Sequence, residues 1–221
     1  MTRSVLNLTV HGIGEPLREL DPGEDVTWVS VEQFEQVLDE VKDRPDVRLT
    51  FDDGNDSDLE IGLPALLERG LRAEFFVLAG RLGERARLDA DGVRELVQQG
   101  MRIGSHGWAH RDWRRLAPGQ EAEELARAPE VLSELCGEPV GRVAIPFGSY
   151  DRHVLARLRR AGVSLAYTSD GGRARAGAWL QPRTSLHRDI GPGWATALLE
   201  DSRSPGMRAR KLVSRTIKRL R

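Results

Sequence analysis

The stretch LTFDDGNDSD, residues 49–58, places two adjacent carboxylates directly after a short apolar segment. Residues 47–51, VRLTF, have the composition of a buried strand, and a glycine follows the acidic pair. Asp52 and Asp53 would repel each other at the end of such a strand. The pair therefore either faces water in a turn, where aspartate and glycine are common, or has a cation between its carboxylates.

Predicted strands and helices alternate on both sides of this stretch, with short connections between them. This alternation predicts βα units around a parallel sheet, in an open sheet or a barrel. No composition break interrupts the pattern, so we expect one domain over residues 1–204 and a separate tail over 205–221. The predicted strands are 4–10, 47–51, 73–80, 101–106, 142–148, 164–170 and 183–187, and the predicted helices are 30–43, 58–70, 89–100, 119–136 and 151–162.

Charge is unevenly distributed along the 221 residues, whose net charge is −1. Residues 203–221 contain eight Lys or Arg and no acid, so residues 1–202 carry −9. This sign predicts that the body does not bind nucleic acid. The tail, if helical, has one apolar stripe and a basic remainder. It then either lies on an anionic membrane surface or docks on the acidic body.

The sequence leaves the oligomeric state open.

The cysteine content and the hydropathy of the sequence indicate the cellular compartment in which we expect the protein. The single Cys136 forbids an internal disulfide and any multi-cysteine metal site. The first 16 residues lack the apolar segment of a secretory signal, and no run reaches transmembrane length. We therefore expect a cytoplasmic protein, with peripheral contact at the inner membrane face if the tail binds lipid.

Polar residues follow the predicted strands at one end of the sheet. His11, the aspartate pair, two histidines at 106 and 110, and the turns at 147–151 and 169–172 all come directly after a strand. In a parallel βα fold these positions meet at the carboxyl end of the sheet, where such folds build active sites.

His106 and His110 are four residues apart, and on a helical turn their rings would share one face and hold one metal ion. Two imidazoles and one carboxylate leave a position for water, as in a catalytic Zn²⁺ site. An ion bound by one aspartate would relieve the repulsion and leave the other ionised as a general base. Taken singly, each motif is also common in solvated turns and helix faces.

The segments LTFDDG (49–54), IGSHGWAH (103–110) and AIPFGSYD (144–151) resemble the polysaccharide deacetylases of the NodB type, carbohydrate esterase family 4, over roughly residues 47–187. The resemblance implies a distorted (β/α) barrel and a metal-dependent hydrolase that removes acetyl groups from N-acetylated sugars. It makes Asp52 the catalytic base and Asp53, His106 and His110 the metal ligands. Zinc is the expected ion, with cobalt, nickel or manganese as alternatives.

The third motif of the family implies a further role and exposes a departure. Its backbone N–H at the aromatic position, here Phe147, holds the developing oxyanion. The arginine that the family often uses to hold the catalytic aspartate falls on Ala144 and is absent. Arg142 and Arg183 are the candidates to replace it.

The remaining motifs are short, and each leaves an alternative open. Leu186-His187 resembles the fifth motif, which would make His187 the general acid; His11 is the rival for that role. Trp179 resembles the aromatic residue that walls the acetyl pocket, although a core tryptophan is more common. Asp170 either supports the site from behind or is a turn aspartate.

The expected reaction releases acetate and a free amino sugar, and the missing export signal favours a lipid-linked, nucleotide-linked or metabolite-linked N-acetyl sugar as substrate. Two alternatives come from other classes of protein. A pseudoenzyme or sugar-binding module would keep the barrel without the chemistry, and the missing arginine favours it. A metal-dependent hydrolase of a non-sugar amide would keep the site and change the substrate.

Overall fold

The computed structural model describes residues 4–21 and 23–201, so the predicted boundary at 204 and the basic tail lie outside the described residues. Within these ranges the chain forms eleven strands and seven α-helices. The strands are β1 (Ser4–Val10), β2 (Gly12–Ile13), β3 (Trp28–Val29), β4 (Val47–Asp53), β5 (Ala73–Val77), β6 (Arg102–Ser105), β7 (Arg142–Ala144), β8 (Leu165–Thr168), β9 (Arg173–Arg175), β10 (Leu180–Pro182) and β11 (Thr184–Ser185). The helices are α1 (Val31–Val41), α2 (Leu63–Glu68), α3 (Ala90–Gln98), α4 (Gln120–Ala122), α5 (Ala128–Cys136), α6 (Arg152–Arg160) and α7 (Trp194–Asp201).

Eight strands form a parallel path in the order β10-β8-β7-β6-β5-β4-β1-β11, and β9 adds to β1 in antiparallel orientation. The two ends of the path, β10 and β11, are successive pieces of one segment separated only by Arg183. That segment pairs with β8 on one side and with β1 on the other, so it nearly closes the sheet. The prediction of a single-domain distorted (β/α) barrel is confirmed.

Side-chain alternation in β4 and β5 separates the helix-facing core from the barrel interior. Phe51 and Phe75 belong to the main hydrophobic core and stack with ring centroids 4.4 Å apart. Their neighbours Asp52 and Phe76 therefore point into the barrel, since successive strand residues face opposite sides. Burial of the aromatic face thus fixes the register that turns Asp52 inward.

Capping residues in the sequence start three of the surrounding helices. Ser30 and Gln33 form the predicted capping box of α1. Asp89 caps α3 through the Gly92 N–H, and Asp151 caps α6. Each cap satisfies N–H groups that the first helical turn leaves without an intrahelical acceptor.

Two predicted helices contain a π-helical turn. The helix predicted at 58–70 begins with a π turn over Asp58–Gly62, and Pro64 is the second residue of α2, directly after that turn. The helix predicted at 119–136 consists of α4, a π turn over Glu123–Arg127, and α5. The structure also contains β2, β3, β9, β10 and α7, which the sequence pattern did not predict. Over the described ranges, no helix is both long and apolar enough to span a bilayer.

Candidate active site

A cavity of about 250 Å³ opens at the carboxyl end of the barrel strands. It brings together most of the polar residues that the sequence placed at this end. Its lining includes His11, Asp52, Asp53, Arg87, His106, His110, Phe147, Arg183 and Ser185.

Asp53, His106 and His110 form a group whose ligand atoms lie within 4.8 Å of one another. The Asp53 Oδ1 atom is 3.5 Å from His106 Nε2 and 3.6 Å from His110 Nε2, and it is buried without a hydrogen-bond partner among the described residues. An orphaned buried carboxylate oxygen facing two imidazole nitrogens fits a divalent cation, because the ion would replace the missing partners.

The two histidines meet through a loop, and the predicted helical turn is wrong. Residues 106–110 follow β6 without helical structure, and His110 has a φ of 55°, in the left-handed region. The His106 and His110 ring centroids are nevertheless 5.0 Å apart. His106 Nδ1 lies 2.9 Å from the Ala144 carbonyl oxygen, which orients Nε2 towards Asp53.

Glu124, in the π turn before α5, holds this loop, and no motif pointed to it. Its carboxylate accepts the backbone N–H groups of Trp108 (2.8 Å) and Ala109 (3.1 Å) and the Trp113 indole N–H (3.1 Å). A Cβ on Gly107, whose φ is 90°, would lie 2.1 Å from the Glu124 Oε2 atom. The carboxylate and the glycine together therefore set the path of the chain between the two histidines.

Arg183, one of the two arginines expected to replace the arginine absent at position 144, contacts Asp52 directly. Its Nη1 and Nη2 atoms donate to the two Asp52 oxygens at 2.6 Å each, and both side chains are buried. The guanidinium carbon also lies 5.3 Å from the Phe76 ring centroid and 5.5 Å from that of Tyr167. Arg142, the other candidate, instead pairs with Glu74 at 3.2 Å.

Burial and charge set the protonation of the site. Burial is the largest effect and opposes ionisation of Asp52, but the charge and hydrogen bonds of Arg183, together with the neighbouring histidines, outweigh it and lower the pKa of that carboxyl to about 2. Burial lowers the pKa of His110 to about 4, against the opposing effect of Asp53. At neutral pH, Asp52 is therefore a carboxylate and His110 a neutral imidazole with a lone pair.

Three residues of the site adopt left-handed backbone conformations that non-glycine residues rarely take. The φ angles are 75° at Asp53, 55° at His110 and 58° at Phe147. The Asp53 carbonyl accepts a hydrogen bond from Arg87 Nη1 at 2.9 Å, a contact that sequence reasoning missed. The Phe147 ring packs 4.2 Å from the His110 ring at the cavity edge. Such strain is concentrated where a fold must aim functional groups.

His11 and His187, the two candidate proton donors, have different positions. His11 Nε2 lies 3.9 Å from Asp52 Oδ2, and Asn55 Nδ2 holds the His11 carbonyl at 2.5 Å. Burial lowers the pKa of His11, although Asp52 and Asp53 oppose the shift. His187 is exposed, follows β11, and does not line the cavity.

Trp179 and Asp170 also lie outside the cavity lining. The Trp179 indole donates to the Val163 carbonyl at 2.8 Å and packs under Arg159 in a second core cluster. Trp179 is half-buried and packs against the edge of that cluster, away from the cavity. Asp170 accepts hydrogen bonds from the Tyr150 hydroxyl at 2.6 Å and from the Thr168 hydroxyl at 3.0 Å, so it fixes the turn after β8.

Comparisons with known proteins show which sequences this chain resembles. YxkH from Bacillus subtilis (strain 168) is 26% identical over 148 residues, which is 66% of this chain and 52% of that protein. A chitooligosaccharide deacetylase from Bradyrhizobium sp. (strain ANU 289) is 29% identical over 167 residues, covering 72% of each chain. The chain thus spans about half of the first relative and almost three quarters of the second.

Solved structures share the fold. The Streptococcus pyogenes deacetylase PplD, in complex with acetate, superposes with a TM-score of 0.77 at 22% identity over 93% of this chain and 100% of that chain. The polysaccharide deacetylase BC0361 from Bacillus cereus gives 0.79 at 19% identity over 90% and 69%. The family model for polysaccharide deacetylases matches residues 39–166, more than half of the chain. The chain therefore belongs to the polysaccharide deacetylase family.

Proposed function

We propose that this protein is a metal-dependent hydrolase that removes the acetyl group from an N-acetylated amino sugar. The observation that carries the proposal is the arrangement of Asp52 beside the group of Asp53, His106 and His110 in one cavity. A carboxylate held ionised next to a three-ligand cation site is what amide hydrolysis by an activated water requires. Family membership and the chitooligosaccharide deacetylase relative support the sugar as substrate.

Asp53, His106 and His110 would hold the ion, and zinc is the first candidate for this mixture of nitrogen and oxygen donors. When bound, a divalent ion of this kind polarises the acetamide carbonyl and lowers the pKa of a coordinated water. The low pKa of His110 favours binding because metal ligands must be deprotonated.

The side chains around the ion divide the proton transfers between them. Asp52, fixed by Arg183, accepts a proton from the attacking water as the new carbon–oxygen bond forms. The Phe147 backbone N–H is assigned to the developing oxyanion, since Phe147 borders the cavity. Breaking the carbon–nitrogen bond then requires a proton on the leaving nitrogen, and the products are acetate and an amine.

We assign the delivery of that proton to His11 in preference to His187. His11 lies in the cavity, 3.9 Å from Asp52, whereas His187 is exposed outside it. Because burial keeps His11 neutral at the start, it can take the proton that Asp52 has received and pass it on.

The test is acetate release from N-acetylglucosamine oligomers by zinc-loaded protein, with the Asp52→Asn variant alongside. We expect release from the wild type, loss after chelation, and at least a 10²-fold lower kcat in Asp52→Asn with zinc content unchanged. Near-normal turnover by a zinc-loaded variant would contradict the role of Asp52.

The two alternative functions predict other outcomes of the same assay. Binding of the oligomers without acetate release would indicate a sugar-binding module on the same barrel. Hydrolysis of simple acetamides with none of the sugar oligomers would indicate a hydrolase of non-sugar amides.

A further inference from the structure

A second and larger cavity, of about 780 Å³, opens at the opposite, amino end of the barrel. Its volume lies in the range of small-molecule sites. It lies among the first residues of β4, β5, β6 and β7, and the proposed reaction gives it no role.

Four arginines line this cavity, and each stands at or next to the start of a different neighbouring strand. Arg48 is the second residue of β4, Arg72 directly precedes β5, and Arg102 and Arg142 open β6 and β7. Since neighbouring parallel strands are about 4.8 Å apart, the strand starts bring these charges together.

The strand register places two of these arginines, Arg48 and Arg72, directly beside each other, so their charges repel. Leu49 of β4 pairs with Ala73 of β5, so the preceding residues, Arg48 and Arg72, come next in register. Like charges on directly opposite residues destabilise a sheet. A bound anion would offset the repulsion between the two arginines. Residues that lower the stability of a fold without a local benefit are often kept for function.

Among the side chains that the structure describes, three of the four arginines have no acidic partner. Over residues 4–21 and 23–201, no ion pair involves Arg48, Arg72 or Arg102, and the residues outside those ranges contain no Asp or Glu. All three side chains are exposed. With Glu74 and Glu138 as the acidic lining residues, the cavity has a surplus of two positive charges.

Arg142, the fourth arginine, helps to build the floor of the cavity. Its Nη1 atom lies 3.2 Å from Glu74 Oε2, and the Tyr167 hydroxyl donates to the same oxygen at 3.0 Å. Glu74 and Tyr167 are buried, so these bonds fix polar groups in the lining that also contains the three other guanidinium groups. Arg72 Nη1 donates to the Leu71 carbonyl at 3.0 Å, but none of the three guanidinium groups has an ion pair among the described side chains. A fixed polar lining beside cations that lack a counter-charge is the form of a preorganised site.

We propose that this cavity binds a soluble small molecule that carries two phosphate groups. Arginine is suited to phosphate because its planar fork donates two hydrogen bonds at once. Separated guanidinium groups around a concave space favour a ligand with more than one phosphate. The concave shape favours a free small molecule over the flat surface of a lipid bilayer.

The experiment is a calorimetric titration of the full-length protein with fructose 1,6-bisphosphate, using unphosphorylated fructose as the neutral control. We expect binding of the bisphosphate alone, weaker at ~0.15 M ionic strength than at low salt because exposed charges are screened. The double variant Arg48→Gln/Arg102→Gln should bind at least about tenfold more weakly for each arginine lost.

Arg160→Gln provides the matched control, because Arg160 is exposed at the end of α6 and does not line the cavity. It should bind as the wild type does. Absence of bisphosphate binding would overturn the proposal, as would binding that the double variant retains, since the ligand would then sit elsewhere. Binding only to phosphatidic acid vesicles would also overturn it, in favour of a membrane contact. Acetate release plays no part in this test, so the two proposals can fail separately.

Discussion

At the scale of single residues, the site depends on charges that compensate one another in a dry environment. Asp52 and Arg183 are both buried, and each would be costly to bury without the other. The same bidentate contact orients the carboxylate and keeps it ionised. Arg183 thus has two effects, one on stability and one on the acidity of the proposed base.

Replacing Arg183 by Met tests both effects, since the substitution removes the charge and keeps an apolar side chain of similar length. We expect a loss of about 3–5 kcal/mol in the free energy of unfolding, because Asp52 is left as an uncompensated buried charge. In the folded wild type the pKa of Asp52 is about 2, so its contribution to stability is present above the unfolded pKa and lost as pH falls towards 2. Without Arg183 that pKa rises, and the acid limb of kcat/KM should move to higher pH.

The control for Arg183→Met is Arg94→Met, since Arg94 forms an exposed pair with Asp91 at 2.6 Å. This variant should change stability by less than about 1 kcal/mol. Chemical denaturation and pH–rate profiles measure both effects. An unchanged acid limb in Arg183→Met would show that Arg183 does not set the acidity of the base.

The proton donor is also decided at the residue scale, by comparing His11→Ala with His187→Ala on one N-acetylated oligosaccharide. We expect His11→Ala to lower kcat by about 10²-fold or more, because general acid catalysis contributes this much. His187→Ala should stay near wild type, since that side chain is exposed. If His187→Ala alone abolishes turnover while zinc is retained, the assignment to His11 is wrong.

At the scale of elements, a π turn and a loop form the cation site together. The π turn over Glu123–Arg127 carries Glu124, which holds the loop between the two histidines by two backbone hydrogen bonds and is itself held by the Trp113 indole N–H. The loop cannot repeat a helical hydrogen-bond pattern, since His110 is left-handed. The ligand geometry therefore depends on a carboxylate that does not belong to the ligand set.

Glu124→Gln should weaken zinc binding by about 10–100-fold, the usual cost of removing a group that supports metal ligands. In the variant, the NH₂ group of the glutamine side chain would face N–H donors that in the wild type contact a carboxylate oxygen. Glu123→Gln is the matched control, because Glu123 is an exposed neighbour paired with Arg111 at 2.6 Å. Zinc affinity is measured by competition with a chelator. Equal affinities for the two variants would rule out a positioning role for Glu124.

At the scale of the whole molecule, a column of polar groups connects the two ends of the barrel interior. Tyr167 donates to Glu74 near the amino end, and its ring contacts Arg183, which holds Asp52 near the carboxyl end. Burial first, and Glu74 second, raise the pKa of Tyr167 to about 12. The stability of the barrel should therefore depend on pH in the alkaline range.

The raised pKa of Tyr167 decides in which direction the unfolding free energy changes with pH. The unfolded chain loses the Tyr167 proton near pH 10 and the folded chain near pH 12, so this contribution is intact below pH 10 and is lost as pH rises to about 12. We expect this term to reach about 2–3 kcal/mol in the unfolding free energy. Tyr167→Phe should remove it. Tyr150→Phe, which removes the other of the two tyrosines, should keep it. Denaturation curves from pH 8 to 12 test this, and equal slopes in wild type and Tyr167→Phe would contradict it.

The sequence by itself determined the alternation of strands and helices, and with it the end of the barrel where the polar residues gather. This succeeded because periodicity, capping residues and glycine stops are local signals, as at Ser30 and Asp89. The motif around Asp52 and Asp53 could be recognised because it, too, is a local pattern of adjacent residues. The loop between His106 and His110 was misread as helical, since spacing alone does not report the backbone angle.

Only the tertiary structure decided the partners of these residues. Arg183 reaches Asp52 because the predicted strand at 183–187 is preceded by the unpredicted β10, and the two pieces β10 and β11 nearly close the barrel on either side of that residue. Glu124 and Arg87 support the site from 15 or more residues away, and His187 is turned outside the cavity that its motif predicted. These contacts depend on how the sheet closes. Closure is a long-range property that local patterns do not encode, because it is the sum of many packing interactions across the whole barrel.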